Sequence, residues 1–207
     1  MTFARPTHPK QERTLVIIKP DGVQRSLIGE ITSRFERVGL KLVGMKLVVP
    51  EDKQCWDHYN KDDIWFLKKG ANITENRTKL GLPIEKSSLE YGKDIIGNVV
   101  KFMTSGPVVA MVWEGNSAIS VVKKITGSTE PSTAQIGTIR GDYGIESYFL
   151  CDTDGSRGMR NIIHCTDGDQ AEADREINLW FKGSELITYR LVQEEILYDV
   201  NLDGILE

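Results

Sequence analysis

Short runs of apolar, β-branched residues alternate along this chain with longer stretches in which apolar residues return every three or four positions. Thr14-Leu-Val-Ile-Ile18 is a continuous apolar run closed by Lys19-Pro-Asp-Gly22, which reads as a buried strand stopped by a turn. Leu27, Ile28, Ile31, Phe35 and Val38 follow at helical spacing, with Gly39 where a C-terminal glycine cap belongs. Leu40 to Val49 predicts a second strand with Val43, Met45, Leu47 and Val49 on one face. Pro50-Glu-Asp opens a short helix that runs through Tyr59.

From Lys61 to about Gly97 the chain turns charged and rich in Asn and Gly, holds Pro83 and keeps no period, and so reads as a long excursion. The pattern resumes where Val99 to Met103 close a helix, Ser105-Gly-Pro107 break it, and Val108 to Trp113 form a third buried strand. Ser117 is the expected N-cap of a helix to Thr126, striped by Ile119, Val122 and Ile125. Pro131 to Gly144 reads as glycine-rich loop, and Cys151 to Gly158 as a second polar excursion. Asn161-Ile-Ile-His164 is a short strand, after which Asp167 or Asp169 caps a helix with Ala173, Ile177, Trp180 and Phe181 on its core stripe.

The order β-α-β-α-β-α-β-α predicts an α+β, ferredoxin-like split βαβ fold, a four-stranded antiparallel sheet with helices on one face. At 207 residues this is one domain. Its core covers about 13–181, with polar insertions at about 61–97, which folding is expected to do without, and at about 147–159. A tail over 183–207 mixes apolar with acidic residues, as if to pack on a surface or a neighbour.

Composition removes whole classes of function. Hydrophobic residues make up 40% of the chain, which argues against disorder, and 26 basic against 30 acidic residues leave a net charge of −4. Bulk attraction to nucleic acid or anionic lipid is therefore missing, and neither is expected as a partner. No run approaches the roughly 20 apolar residues of a membrane span. The first residues lack a hydrophobic signal core, so the expected location is the cytoplasm. Cys55, Cys151 and Cys165 are odd in number and far apart, which supports neither a disulfide framework nor a zinc pair. Asp152-Thr-Asp-Gly155 brings its glycine too early for a calcium loop.

Neither a P-loop nor a dinucleotide fingerprint occurs, so phosphate chemistry needs another scaffold. The histidines are His8 in a polar arm, His58 in the early helix and His164 at a strand end beside Asn161, Thr166 and Asp167. Around them stand four words: Lys19-Pro-Asp-Gly-Val-Gln-Arg25, Ser105-Gly-Pro-Val-Val-Ala-Met-Val-Trp-Glu-Gly115, Gly137-Thr-Ile-Arg-Gly-Asp142 and Arg160-Asn-Ile-Ile-His164. In that order they strongly resemble nucleoside diphosphate kinases, from about Arg13 to Phe181.

The resemblance implies transfer of the γ-phosphate of a nucleoside triphosphate, mainly ATP, to His164. A nucleoside diphosphate then takes it, a ping-pong route that supports NTP and dNTP synthesis, with Mg2+ bound through the nucleotide phosphates. Imidazole suits this chemistry, because its ordinary pKa near 6.5 leaves a neutral nucleophilic nitrogen at pH 7 and its phosphorylated form passes the group on. By the same resemblance Glu176 holds the other ring nitrogen, and Arg140, Lys123, Thr129 and Tyr59 meet the phosphates. Lys19 and Asn161 match the pair that bonds the ribose hydroxyl. Lys123 stands where the family usually has arginine and exchanges a planar fork for a point charge. Ile95 occupies the base-clamp position, where the family has an aromatic ring, with Tyr91 one turn earlier as a substitute. Thr166 replaces a serine and Cys165 a small residue. The family's hexamers and tetramers imply a homo-oligomer. Two other classes remain from sequence: a nucleotide-binding module without turnover, which would be expected to lack His164 or Arg140, and an interaction subunit whose insertions carry the main role.

Overall fold

The computed structural model describes residues 11–154, 157–199 and 201. The arm through Lys10, Gly155 of the would-be calcium loop and the end of the tail lie outside the described residues. Strands β1 (Gln11–Ile18), β2 (Lys41–Val48), β3 (Val108–Asn116) and β4 (Ile163–Cys165) form one sheet in the order β2-β3-β1-β4. Every neighbouring pair is antiparallel, which is the ferredoxin-like arrangement expected from the element order.

Helices cover both faces of this sheet, which corrects the expectation of one. Leu15 and Ile17 of β1 pack with Ile96, Val100, Ile177 and Trp180. Val16 and Ile18 point the other way, onto Ile31, Phe35, Val122 and Ile139. The cause is the continuous apolar run itself: neighbouring side chains of a strand point to opposite faces, so a strand apolar at every position buries them only when both faces are covered. The first face carries α3 (Asp52–His58), α4 (Asp63–Lys79), α5 (Ser88–Met103) and α9 (Gln170–Trp180). The second carries α1 (Pro20–Gln24), α2 (Ile28–Arg37), α6 (Ala118–Thr126) and α7 (Ile139–Tyr143).

In β2 the register shifts between Leu42 and Gly44, a bulge against β3. An extra residue flips every later side chain to the other face. Val43 is buried, whereas Met45, Leu47 and Val49, expected on its face, stand 44%, 63% and 63% exposed. Ser117 also departs from expectation, because it sits in the left-handed region at φ 50 and its side chain caps nothing. The first-turn amide of Ile119 is met instead by Glu12 at 3.3 Å. The cap of α9 is Asp169, which accepts from the Glu172 amide at 3.1 Å.

The long excursion over 61–97 is a helical hairpin. Asp62 caps α4 through the Trp65 amide at 2.8 Å, and Ser87 with Glu90 forms a capping box on α5. The Asn and Gly content that suggested loop has a packing reason. A Cβ on Gly70 would lie 1.6 Å from the Ser88 carbonyl oxygen, and one on Gly92 would lie 2.1 Å from that of Phe66. The glycines let two backbones touch. Phe66 enters the core cluster with Ile96 and Val100, so the hairpin packs as part of the core. Further on, a 3-10 turn (Pro131–Thr133) and α7 interrupt the expected loop, and α8 (Tyr148–Asp154) occupies the second excursion. The tail lies along the free edge of β2, where the Ile187 amide bonds the Val43 carbonyl at 2.8 Å. Its described part includes α10 (Val192–Tyr198).

Candidate active site

The site begins at the end of β1. Proline suits the first turn of α1, having no amide hydrogen to leave unpaired there, and the turn it opens grips the segment before β4. The Lys19 amide bonds the Ile162 carbonyl at 2.8 Å, and the Asp21 carboxylate accepts from the Ile162 amide at 3.0 Å. Ile162 has φ +71, a strained conformation for a β-branched residue. A Cβ on Gly22 would stand 3.0 Å from the same carbonyl, so the word Lys-Pro-Asp-Gly works as a clamp on the chain that delivers His164. Burial pushes the Asp21 carboxyl above the ordinary range, against the pull of Lys19.

Arg140, 7% exposed, braces the same segment from the other side. Its guanidinium donates to the carbonyls of Asn161 at 3.3 Å, Gly127 at 2.9 Å and Ile163 at 2.7 Å. Asn161 bonds Lys19 Nζ through Oδ1 at 2.7 Å and the Thr129 carbonyl through Nδ2 at 2.8 Å. Lys19 is itself buried. Desolvation, then the neighbouring Arg140 charge, lower its ammonium to about 8.

His164 lies between these cations and α9. Its Nε2 is 3.0 Å from Glu176 Oε1. The other carboxylate oxygen accepts from the Thr166 hydroxyl at 2.6 Å, and that hydroxyl accepts from the Leu15 amide at 3.3 Å. Burial alone would raise the Glu176 carboxyl, but His164, His58 and Thr166 outweigh it and hold it below the usual range. An ionised carboxylate only accepts. Nε2 of His164 therefore carries the hydrogen, and Nδ1 of the neutral ring keeps its lone pair free.

Lys19, Asn161, Arg140 and Thr129 thus meet around the segment that carries His164, which Glu176 holds from α9. Lys123 reaches the site's rim paired with Asp167. Tyr59 is half-buried with its ring edge-on to His164 at 5.9 Å and its hydroxyl, itself out of solvent, without a partner among the described residues. Tyr91 is spent inside the hairpin, 8% exposed, with its hydroxyl bonded by the Glu85 amide and Arg77 over its ring. Ile95 is half-buried on α5.

His58, Trp180 and Asp21 also belong to the site, and sequence reasoning did not assign them there. The only signal was His58 standing next to Tyr59. His58, His164 and Glu176 bring ligand-type atoms within 4.8 Å of one another. Two nitrogens and one oxygen are not the all-oxygen shell that magnesium prefers, and hydrogen bonds already occupy these atoms.

A family model described as nucleoside diphosphate kinase matches residues 12–74 and 87–186. The nucleoside diphosphate kinase of Pyrobaculum aerophilum is 41% identical over 181 residues, 85% of this chain and 98% of that one. Its crystal structure overlays with a TM-score of 0.80, covering 86% of this chain and all of the other. A transition-state mimic of the Borrelia burgdorferi nucleoside-diphosphate kinase with bound vanadate and ADP, 36% identical, overlays with a TM-score of 0.74 over 90% of this chain and 96% of that one.

Proposed function

The chain belongs to the nucleoside diphosphate kinase family and is a nucleotide phosphotransferase, and from that premise we propose a ping-pong reaction through a phosphohistidine on His164. The observation that carries this reading is the Glu176 carboxylate on Nε2 of His164, which leaves Nδ1 as the nucleophile. Nδ1 attacks the γ-phosphorus, the bond to the bridging oxygen breaks, and its electron pair departs with the nucleoside diphosphate. Glu176 offsets the positive charge that grows on the ring. A second nucleoside diphosphate reverses the step and leaves as triphosphate.

Lys19 and Arg140 supply fixed positive charge where the phosphoryl oxygens gather negative charge, and Lys123 adds a third cation from the rim. Asn161 and Lys19 hold the ribose, and Thr129 and Tyr59 complete the phosphate wall. Mg2+ enters with the triphosphate, with ATP as the main donor. In support, the Asp167 carboxylate is already paired with Lys123. Ile95 offers the base an aliphatic contact, weaker than aromatic stacking at roughly 1–3 kcal/mol per base, so many bases are accepted.

Incubation with γ-labelled ATP and Mg2+ should leave acid-labile, alkali-stable label on His164, removable by a nucleoside diphosphate. His164→Ala should abolish both steps. Arg140→Ala should slow transfer without moving the label and also lower stability, since three carbonyls lose their donor. Label on Cys165 or Thr166, or ternary-complex kinetics, would overturn the reading.

We further propose that the protein works in the cytoplasm as a homo-hexamer or tetramer. The exposed apolar stripe Met45, Leu47 and Val49 supports association. Sedimentation at micromolar concentration should give the oligomer, and a monomer would refute it. Among the described residues no helix is long and apolar enough to cross a membrane.

A further inference from the structure

One carboxylate serves two histidines in this site. Glu176 Oε1 is 3.0 Å from His164 Nε2 and 3.7 Å from His58 Nδ1, and the two rings meet edge to face at 4.4 Å. If His58 carried a proton on Nδ1, a small shift would let it donate to Glu176 and divide the carboxylate between two rings. Trp180 prevents this. An indole N–H can only donate, and it donates to His58 Nδ1 at 3.2 Å. Nδ1 therefore holds a lone pair, and the neutral ring has its hydrogen on Nε2.

Helix geometry makes the arrangement possible. Glu176 and Trp180 are four residues apart on α9 and share a face, so one helix turn presents the carboxylate to His164 and the indole donor to His58. Arg175 of the same helix bonds the carbonyls of Asp57 and His58 at 3.0 and 3.1 Å, which fixes the end of α3 against α9. His58 is 3% exposed.

We propose that His58 is a positioning residue for phosphoryl transfer: held by Trp180 with no hydrogen on Nδ1, the atom that stands 3.7 Å from Glu176, it leaves that carboxylate committed to His164. The groups that face it agree. Burial, His164 on β4, Arg175 on α9 and Lys19 at the end of β1 all oppose a charge on His58, and Glu176 alone favours one. Tyr59, the residue after it at the end of α3, is pushed toward its neutral phenol by burial. For what His164 does, the proposal rests on the phosphohistidine reading; the tautomer of His58 stands apart from it.

Long-range proton–nitrogen NMR of the unaltered protein should show His58 as the Nε2–H tautomer without titration from about pH 5.5 to 8.5. Titration in that range, or an Nδ1–H pattern, overturns the proposal whether or not His164 is phosphorylated. Kinetics give the second arm. Trp180→Phe keeps the ring but frees His58 Nδ1 to take a proton. It should slow single-turnover phosphorylation of His164 roughly 10- to 100-fold, the equivalent of one hydrogen bond to a charged group, with KM little changed. Adding His58→Leu removes the competing donor and should recover most of that rate. A double variant slower than Trp180→Phe alone would mean that the pair only fills space, and the proposal would fail. Absence of label from His164 in the unaltered protein would instead sink the phosphohistidine reading.

Discussion

Lys19 is held as an ammonium in a place that resists charge. Burial first and Arg140 second lower it from 10.5 to about 8, so between those two values the folded chain binds fewer protons than the unfolded one. Stability consequently rises with pH across that window and carries the full cost of the buried charge below it, about 3 kcal/mol. Comparing the urea unfolding of the wild type and Lys19→Met at about pH 7 and pH 10 should show the wild type gaining on the variant by about 2–3 kcal/mol at the higher pH. A constant difference would mean that Lys19 titrates normally. The cation donates to Asn161 at 2.7 Å, and the ribose contact proposed for the pair gives a reason for a lysine after four apolar residues. Sequence alone made that lysine suspicious. Its partner Asn161 came from motif resemblance, because nothing local in either segment says that they meet.

At the scale of elements, the helical hairpin of α4 and α5 depends on two glycines that look like loop residues in the sequence. Gly70→Ala forces a Cβ into the Ser88 carbonyl at 1.6 Å, where neither backbone can move aside. Overpacking of this kind costs about 1–3 kcal/mol or more. Gly29→Ala in α2 meets nothing within 4 Å and should add about 0.5–1 kcal/mol. Equilibrium unfolding of the two variants should therefore move in opposite directions, and a neutral Gly70→Ala would contradict the close crossing. The bulge in β2 teaches the same lesson. Alternation correctly located the strand, but one inserted residue near Val43 turned Met45, Leu47 and Val49 to the other face, and no pattern of apolar residues announces an insertion of one.

Across the whole molecule, a buried ionic network ties the tail to the sheet. Lys41 Nζ on β2 reaches Glu114 of β3 at 2.7 Å, Glu194 of α10 at 2.6 Å and the Tyr189 carbonyl at 3.0 Å. Arg13 bonds Glu114 at 2.6 Å and Gln11 bonds Glu194 at 3.0 Å. Removing the central cation leaves two carboxylates in a buried site, and breaking a buried ion pair in this way costs about 3–5 kcal/mol. Lys41→Met should lose that much in urea unfolding, and its tail should be cleaved sooner by protease than that of the wild type. An unchanged midpoint would show the network to be solvated and dispensable. The tail's apolar and acidic mixture hinted at docking, yet only the folded sheet places Lys41, Glu114 and Glu194 together.

The sequence by itself determined the strands and the helices with apolar stripes, and it singled out His164 as the nucleophile proposed here. These rest on local periodicity and on short words whose residues stand next to one another, as in Arg160-Asn-Ile-Ile-His164. Tertiary structure alone decided which faces were covered, where the register slipped, that a polar stretch was a packed hairpin, and that His58 meets His164 while taking a hydrogen bond from Trp180. Each of these depends on atoms brought together from distant parts of the chain, where spacing along the sequence carries no distance in space.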